Sequence, residues 1–588
     1  MNLFRQLWPW VYPYRRKVLL GILWIIATNI LLLAIPQMLR LGIAAIEDKQ
    51  WHDVVFYAGM IAILTLAGGA IRVLSRLCFL HTGRRVEVDL RQAMFERLLY
   101  QPAPFFNNHR IGDLVSRFTN DLINVRMVAG FGLVSIANAV VVYVISLGLM
   151  VWMSPSLTFA ALLPFPIMLL ATKWISRHLL HYSALVQQRL GELSVVVEET
   201  LRGQSSLRSS GFQQAHCDKF AQINSSYLAS SLALARMRAL IMPVMSIVTP
   251  FGILMVLYFG GQQVVAGTLE LGDMVAFNAY LVQLTMPTIL LGWIITLVQR
   301  AAVGMERINL LLELSKPSQL LSAPEPAQKA PHIELRNLSF AYAKMAPDNS
   351  GKASVAPQVL HRVSLDIAAG SMVGIVGTVA SGKSTLLHVL TGRYPLARGQ
   401  VFIDGEDLST RCVQQHSQML AAVLQEGKLF SGSLLDNFRF AAPQLSTQQV
   451  AKIADTVVFS AEIEQFPDKF ATLLGEGGLT LSGGQRQRVG VARALARNRP
   501  LWLLDDPFSH LDSHTASQLW CNLRQELRGK TVVLASSRVS ILQDVDHIVV
   551  LDKGEIVEQG SYAQLLQLDG EYARLLRREQ LHHQMEVL

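Results

Sequence analysis

A glycine-rich segment, Gly377-Thr-Val-Ala-Ser-Gly-Lys383-Ser384, has the spacing of a loop that binds nucleotide phosphates. The apolar run 371–376 before it predicts a strand, and residues 385–390 after it predict the start of a helix. In that context backbone N–H groups and the positive helix N-terminus would surround the phosphates. Lys383 would reach the β- and γ-phosphates, and Ser384 would bind Mg²⁺. The segment therefore predicts a site for ATP and Mg²⁺.

A second apolar run, Leu501-Trp-Leu-Leu504, ends in the acidic pair Asp505-Asp506. Phosphate-binding loops of this kind use a carboxylate at the end of a buried strand to help hold Mg²⁺. Asp505 is therefore predicted to bind Mg²⁺ together with Ser384.

The chain of 588 residues is unusually apolar. Its mean hydropathy is +0.33, and 51% of its residues are apolar while 16% are charged. Soluble proteins have about 25% charged residues, and long runs before residue 300 contain no Asp, Glu, Lys or Arg. Because a membrane-spanning helix needs about 20 apolar residues, the sequence predicts six spans, at about 17–39, 54–80, 128–152, 155–175, 239–265 and 273–299.

Basic residues are concentrated on one side of these spans. They precede the first span and occupy the two long connections, between spans two and three and between spans four and five, whereas the connections near Glu47 and Gly267 carry almost none. Since basic loops stay in the cytoplasm, both termini and both long connections are predicted to be cytoplasmic. The net charge of +9 then belongs to these loops, and no nucleic-acid partner is predicted.

The two long connections have helical periodicity, over 86–100 and 182–207. A structureless loop of that length is uncommon in a compact protein. We therefore expect the spanning helices to continue as long cytoplasmic extensions, joined by turns near 105–112 and 203–212. These turns are suited to dock on another domain.

The composition changes after the sixth span and divides the chain. Residues 1–314 are predicted to form the transmembrane domain, and 315–331, rich in Pro, Ser and Ala, a linker. In 332–588, short apolar strands alternate with helical stretches, and 344–357 is predicted to be a surface insertion. The predicted fold is a membrane α-helical domain followed by an α/β P-loop NTPase domain.

The segment Leu481-Ser-Gly-Gly-Gln485 resembles the signature of ATP-binding-cassette (ABC) transporters. Tyr342 resembles the aromatic residue that stacks on adenine, and Gln425 resembles the Q-loop residue that contacts Mg²⁺. Ser509-His-Leu-Asp512 resembles the D-loop. Six spans followed by one cassette is the half-transporter layout of the exporter fold, also called type IV. The resemblance implies an ATPase coupled to transport by alternating access.

The resemblance and the loop pattern together define the predicted site. The residues predicted to bind ATP or Mg²⁺ are Tyr342, Gly377, Thr378, Val379, Ala380, Ser381, Gly382, Lys383, Ser384, Thr385, Gln425 and Asp505. The signature predicted to complete a partner's ATP site is Leu481, Ser482, Gly483, Gly484 and Gln485. Phe105 to Asp121 and Gly475-Glu-Gly477 resemble the segments that join cassette and membrane domain.

Two positions depart from the family pattern in its catalytic part. The family has a glutamate after the strand-end aspartate to polarise the attacking water; Asp506 stands there and is shorter by one methylene, about 1.5 Å. A misplacement of about 1 Å can lower a rate on the order of a hundredfold. The family histidine that contacts the γ-phosphate is replaced by Ser537, which is too short to reach it. Ala380 also stands where the loop usually has glycine. The resemblance therefore implies a degenerate site that binds ATP and hydrolyses it weakly.

Cassettes of this family pair head to tail, each ATP lying between one phosphate loop and the other chain's signature. The resemblance therefore implies a heterodimer with a second half-transporter that supplies the missing glutamate and histidine. Hydrolysis would then occur mainly at the partner-based site. A homodimer with two weak sites and little turnover remains the alternative.

The transported solute is predicted only as a class. The central apolar stretches contain no Asp or Glu, which argues against a proton relay or a cation site and favours hydrophobic or amphipathic compounds such as drugs or lipids. A resemblance to bacterial multidrug half-transporters implies export from the inner membrane of a bacterial cell. Import of a siderophore-like chelate and a non-transporting regulatory subunit remain alternatives.

Overall fold

The structure, a computed structural model, describes residues 2–315, 329–342, 357–411, 413–425, 427–475 and 481–587. These residues form two units. The first contains residues up to 99 and from 112 to 315, and the second contains residues 100–111 and the described residues from 329 onward. Most of the predicted linker 315–331, of the insertion 344–357 and of Gly475-Glu-Gly477 lies outside the described residues.

The first unit is built of long helices. The helices up to residue 312 are α1 (Asn2–Val11), α2 (Arg15–Leu33), α3 (Ile35–Glu47), α4 (Trp51–Leu99), α5 (Ala103–Asn108), α6 (Ile111–Ser116), α7 (Leu122–Met127), α8 (Leu133–Met153), α9 (Pro155–Leu162), α10 (Pro164–Arg202), α11 (Gln204–Ser210), α12 (Gln213–Met255), α13 (Gly261–Val265) and α14 (Leu271–Leu312). Three π-helical turns, Arg117–Asp121, Val128–Gly132 and Val256–Gly260, join consecutive helices.

Four helical segments among the described residues are long and apolar enough to cross a membrane. They are Leu3–Glu47, Trp51–Leu99, Ile111–Met153 and Leu271–Leu312, and a shorter apolar helix covers Pro250–Val265. The predicted fourth and fifth spans fall on α9, α10, α12 and α13, where several side chains are outside the described set. The count of six spans therefore stays a prediction.

The first predicted span is interrupted at Ala34, between α2 and α3. Pro36 has no N–H to donate to the carbonyl of Leu32, so the helix loses a hydrogen bond there. Gln283 Nε2 donates to the Leu32 carbonyl at 3.3 Å, and the Tyr280 hydroxyl donates to the Leu33 carbonyl at 3.2 Å. Helix α14 thus satisfies the backbone carbonyls at this interruption, as apolar surroundings require.

Ion pairs join the helices outside the apolar runs. The buried Glu87 of α4 accepts from Arg126 of α7 at 3.2 Å. Asp121, in the first π-helical turn, pairs with Arg307 of α14 at 2.9 Å. A buried charge is tolerated only when it is paired in this way, so these contacts fix the packing of the helix extensions.

The second unit is an α/β domain, as predicted. Its strands are β1 (Ile333–Ala341), β2 (Gln358–Ile367), β3 (Met372–Gly377), β4 (Val401–Ile403), β5 (Glu406–Asp407), β6 (Leu420–Val423), β7 (Gly432–Ser433), β8 (Leu473–Leu474), β9 (Leu501–Asp505), β10 (Thr531–Ala535), β11 (His547–Asp552) and β12 (Glu555–Gly560). Its helices are α15 (Lys383–Leu390), α16 (Val413–Met419), α17 (Leu434–Arg439), α18 (Thr447–Thr456), α19 (Ser460–Ile463), α20 (Gly483–Arg497), α21 (Ser513–Glu526), α22 (Tyr562–Leu568) and α23 (Glu571–Val587).

A six-stranded sheet organises this unit, with strand order β12-β11-β3-β10-β9-β6. The five strands from β11 to β6 are parallel, and β12 is antiparallel. Strands β9 and β10 are buried along their whole length and are apolar apart from Asp505 and Thr531, as in parallel sheets covered on both faces. The carboxyl ends of parallel strands lie at one edge, where ligands of open α/β sheets bind. That edge receives the segments that follow β3, β6, β9 and β10.

Helix α5, the first predicted turn between helix extensions, packs on the α/β domain within the second unit. The Ala103 N–H donates to the Arg393 carbonyl at 3.3 Å, just after α15. His109 closes the helix by a 2.8 Å contact between Nδ1 and the Phe105 carbonyl. The predicted docking of this turn is confirmed. The second predicted turn contains α11 and ends at Gly211, whose φ of +72° suits glycine.

Candidate nucleotide-binding site

The glycine-rich segment forms the predicted loop between β3 and α15. Gly382 caps α15 with φ +104°, and a Cβ there would approach the Leu360 side chain to 2.9 Å, so only glycine fits. Lys383 Nζ donates to the carbonyls of Gly377 at 2.8 Å and Thr378 at 2.9 Å. The ammonium thus lies over the loop whose N–H groups would receive phosphate.

The charges of the site lie on Lys383, Asp505 and Asp506. Burial lowers the pKa of Lys383, and the two nearby carboxylates oppose that shift. Burial also raises the pKa of Asp505, while its hydrogen bond with Ser384 opposes the shift. Desolvation therefore disfavours the charged form of both groups. A ligand that brings phosphate and a divalent cation together would stabilise both.

Asp505 and Ser384 provide a fitting site for Mg²⁺. Ser384 Oγ donates to Asp505 Oδ1 at 3.0 Å. The other carboxylate oxygen, Oδ2, is buried and has no hydrogen-bond partner among the residues that the structure describes. A carboxylate and a hydroxyl are the hard oxygen ligands that Mg²⁺ prefers. The unpartnered oxygen therefore fits the predicted ion.

The remaining loop residues contribute mainly shape and anchoring. Thr378 Oγ1 donates to Asp552 Oδ1 at 3.1 Å and ties the loop to the end of β11. Ser381 is buried beneath the loop, whereas Val379 is 98% exposed at its tip. Ala380 adopts φ +66°, in the left-handed region that a side chain disfavours. The predicted departure at this position thus coincides with local backbone strain.

The substitution Ala380→Gly is expected to stabilise the protein by about 0.5–1 kcal/mol. It removes a left-handed alanine, which costs about 1–2 kcal/mol, and adds the smaller entropic cost of glycine. The measurement is the free energy of unfolding of the α/β domain within the full chain. As a control, Ala496→Gly in α20 should destabilise by about 1 kcal/mol. Destabilisation by both substitutions would contradict the strain at Ala380.

Tyr342 lies beside the start of α15 within an aromatic cluster. Its hydroxyl donates to Thr385 Oγ1 at 3.0 Å. Its ring is edge-on to Phe340 at 5.1 Å and to Tyr394 at 5.2 Å between centroids. Burial raises the pKa of Tyr342. Tyr394 was missed from the sequence because one aromatic residue after a helix has no distinctive pattern.

The two residues that depart from the family pattern contact each other. Ser537 Oγ donates to the Asp506 carboxylate, at 3.0 Å from Oδ1 and 2.9 Å from Oδ2. The Ser537 N–H also approaches Asp506 Oδ1 at 3.3 Å. The sequence predicted two substitutions in one catalytic site, and in the structure they form one hydrogen-bonded pair. We call it the Asp506–Ser537 pair.

The backbone of Asp506 is held on both sides. Its N–H donates to the Ala535 carbonyl at 2.8 Å, at the end of β10. Its own carbonyl accepts from Gln487 Nε2 at 2.6 Å, and Gln487 is buried. Asp506 has φ +46°, an unusual conformation that these contacts maintain. The role of Gln487 was missed because its position in α20 resembles that of any helical glutamine.

The signature residues begin helix α20, and their local structure is regular. Ser482 caps the helix: its Oγ accepts from the Gln485 N–H at 3.2 Å, and its N–H donates to Gln485 Oε1 at 2.9 Å. Gln485 Nε2 donates to Glu462 at 2.7 Å, and Leu481 is buried. This order fixes the start of α20 at Gly483, and the N-terminal end of a helix favours an anion.

Glycine is required at position 484 because the D-loop passes close to it. A Cβ on Gly484 would lie 2.7 Å from the His510 carbonyl oxygen and 2.9 Å from the Leu511 side chain. Gln487 Nε2 also donates to Ser509 Oγ at 3.1 Å, and the His510 N–H donates to Gln487 Oε1 at 3.2 Å. The signature and the D-loop are therefore one packed structure.

Gln425 lies at the same edge of the sheet as Asp505. It follows β6, which pairs with β9, and its side chain is exposed. The next residue is outside the described set. The structure therefore brings together the phosphate-binding loop, Asp505, Asp506 and Ser537, and Gln425 lies at the same edge of the sheet. The contact of Gln425 with Mg²⁺ stays a prediction.

Family profiles match both parts of the chain. The ABC transporter transmembrane region matches residues 18–288, and the ABC transporter domain matches residues 360–509. The chain therefore belongs to the ABC transporter family, whose nucleotide-binding domain binds ATP. The predicted order of a helical membrane domain and a P-loop NTPase domain is confirmed.

Alignments with individual relatives cover most of the chain. The cyclolysin secretion/processing ATP-binding protein CyaB of Bordetella pertussis is 32% identical over 84% of this chain and 68% of its own length. An ATP-dependent lipid A-core flippase of Aromatoleum aromaticum is 31% identical over 83% and 79%. The "Probable multidrug resistance ABC transporter ATP-binding/permease protein YheI" of Bacillus subtilis is 27% identical over 97% and 96%.

A solved structure has the same fold. A bacterial Atm1-family ABC exporter with ATP bound superposes with a TM-score of 0.79, covering 96% of this chain and 99% of that chain at 24% identity. The exporter fold predicted from the motifs is confirmed.

Proposed function

We propose that this chain is one half of a heterodimeric ATP-driven exporter. Its own ATP site hydrolyses slowly, and its signature completes a faster site on a different half-transporter. The observation that carries this proposal is the Asp506–Ser537 pair, because both residues stand where the family has the groups that act on water and on the γ-phosphate. The regular signature supports the second half of the proposal.

The residues of the chain's own site are suited to retain ATP. Lys383 would exchange its two carbonyl acceptors for phosphate oxygens, and the loop N–H groups would hold the remaining phosphate charge. Ser384 and Asp505 would hold Mg²⁺, which neutralises phosphate charge when it is bound. Each of these contacts needs only groups that the structure already places at this edge of the sheet.

Hydrolysis requires a carboxylate that orients the attacking water. The single hydroxyl hydrogen of Ser537 is shared between the two oxygens of Asp506, and this hydrogen bond holds the short carboxylate beside Ser537. Ser537 in turn is engaged with Asp506 and offers nothing to the γ-phosphate. Loss of one such donor costs about 3 kcal/mol of transition-state stabilisation, or about a hundredfold in rate. The site therefore favours binding over turnover.

A heterodimer explains why the signature is regular while the catalytic pair is not. Head-to-tail pairing places the signature against the partner's ATP, where a glutamate and a histidine from the partner would support hydrolysis. A homodimer would contain two Asp506–Ser537 pairs and little turnover. Such a homodimer would have no ATP site that hydrolyses fast enough to drive efficient transport.

Hydrophobic or amphipathic compounds, such as drugs or lipids, are the proposed cargo. The central apolar stretches lack Asp and Glu, and relatives of similar length include a lipid A-core flippase and a probable multidrug resistance transporter. The basic connections support a cytoplasmic location for both termini and the ATP-binding domain. We place the protein in the inner membrane of a bacterial cell.

Two experiments test this function. The tagged chain, purified from its native membrane, should carry a second ABC half-transporter that has glutamate and histidine at the positions of Asp506 and Ser537. Inside-out vesicles containing the pair should accumulate an amphipathic dye when ATP is added. Uptake only in right-side-out vesicles would indicate import, and ATP binding without transport would indicate a regulatory subunit.

A further inference from the structure

Helix α1 has two different faces along its length. Its buried face, which packs on α4 and α14, consists of Leu3, Leu7 and Val11, each at most 4% exposed. The opposite face carries Phe4, Trp8 and, just after the helix, Tyr12, which are 43%, 58% and 48% exposed. These three aromatic side chains recur every fourth residue and form a row that we call the aromatic ridge.

Three exposed cations, Arg15, Arg16 and Lys17, follow the ridge directly. The guanidinium of Arg15 lies 4.3 Å from the centroid of the Tyr12 ring, which joins the cations to the ridge. None of the three cations is in an ion pair within the part of the chain that the structure describes. The sequence contains no acidic residue before Glu47, so the charges of the N-terminal segment itself are all positive.

A hydrogen bond between Tyr14 and α4 indicates where the end of the aromatic ridge lies relative to the predicted membrane spans. The Tyr14 hydroxyl donates to Asp89 Oδ2 at 2.8 Å, and Asp89 lies on α4 beyond the predicted second span, which ends at about residue 80. The first predicted span begins at about residue 17. Tyr12 to Lys17 therefore stand just before the first predicted span and beyond the end of the second, on the headgroup side of the hydrocarbon.

We propose that the aromatic ridge and the three cations bind the headgroup of an anionic phospholipid. Tyr and Trp rings prefer the interface between hydrocarbon and water, and an exposed aromatic face beside basic residues is typical of interfacial anchors. A guanidinium can bind phosphate oxygens in pairs, and cations near an anionic surface add about a fivefold gain in affinity each. The site is independent of the solute that the transporter moves.

The charge pattern favours lipid over a protein partner. A protein surface would need several acidic groups opposite three adjacent cations, whereas an anionic bilayer presents phosphates to any cation at its surface. The exposed rings also need an apolar environment at one edge and a polar one at the other. A bilayer interface provides both.

The test uses the full-length chain in detergent micelles, titrated with brominated phosphatidylglycerol or brominated phosphatidylcholine. The signal of Trp8 is the difference in fluorescence quenching between the wild type and Trp8→Phe. Phosphatidylglycerol should quench at a lower mole fraction than phosphatidylcholine. The triple variant Arg15→Gln, Arg16→Gln, Lys17→Gln should need about a hundredfold more phosphatidylglycerol for half-quenching.

A matched control removes three cations elsewhere. The variant Arg202→Gln, Arg208→Gln, Lys219→Gln lies around α11 and should leave the titration unchanged. High salt should weaken the effect of phosphatidylglycerol on the wild type, which tests the proposal even if the triple variant fails to fold. Equal quenching by both lipids, or an equal loss in the control, would overturn the proposal. If neither lipid quenches Trp8, the proposal is also overturned, because the aromatic ridge would then be covered by protein.

Discussion

The double substitution Asp506→Glu with Ser537→His is expected to raise the ATP turnover of the chain, purified without its partner, by about a hundredfold or more. The longer carboxylate would reach farther toward the attacking water, and the imidazole would donate to the γ-phosphate. The substitution also removes the hydroxyl whose hydrogen the two oxygens of Asp506 now share. The measurement is the steady-state rate of phosphate release per bound ATP.

Either substitution alone should raise the rate by less than about tenfold, because the two side chains act as a hydrogen-bonded unit. Asp506→Glu alone leaves the Ser537 hydroxyl beside the carboxylate, and Ser537→His alone leaves the carboxylate short. Ser537→Ala, which removes the hydroxyl without supplying a donor, is the control and should give little gain. A full gain from Asp506→Glu alone would show that the hydrogen bond with Ser537 does not limit hydrolysis.

The second large effect is expected at the signature. Gly484→Ala, introduced into the double variant, should lower turnover by about a hundredfold. The added Cβ would collide with the His510 carbonyl oxygen, which is backbone and cannot rotate away. The D-loop and the start of α20 must therefore shift, and this disturbs the ATP site that the signature completes in either kind of dimer.

Binding of ATP to the chain's own loop should stay within about twofold, because Gly484 is not part of that loop and distant effects are roughly independent. The affinity of this loop for ATP is measured with a fluorescent ATP analogue. Gly490→Ala, on the same helix, is the matched control: its Cβ would meet Val423 only at 4.0 Å, so turnover should be unchanged. Equal turnover in Gly484→Ala and Gly490→Ala would contradict the packing described for the signature.

Much of the architecture can be predicted from the sequence because its signals are local. The phosphate loop combines a fixed glycine and lysine spacing with a strand before and a helix after, and the structure has both. The apolar run that ends at Asp505 is a buried strand, as its composition indicates. The long helical extensions follow from periodicity, and the docking of α5 on the α/β domain follows from its position at a turn.

Other features depend on contacts between distant residues. The Asp506–Ser537 pair joins the ends of β9 and β10, which become neighbours only in the folded sheet. Two other contacts also join residues that are distant in sequence. Gln487 of α20 donates a hydrogen bond to the Asp506 carbonyl, and Tyr394 packs on Tyr342. Side-chain hydrogen bonds of this kind leave no periodic pattern, so the sequence shows the residues without showing that they meet.

The identity of the nucleotide retained by the wild-type chain tests the central claim most directly. The chain, produced and purified without the partner half-transporter, would be incubated with radiolabelled ATP and Mg²⁺ for a time in which the double variant completes many turnovers, and the bound nucleotide would then be separated. Slow hydrolysis at the Asp506–Ser537 pair predicts that the wild type retains mostly ATP and the double variant mostly ADP. Mostly ADP in the wild-type chain would contradict it.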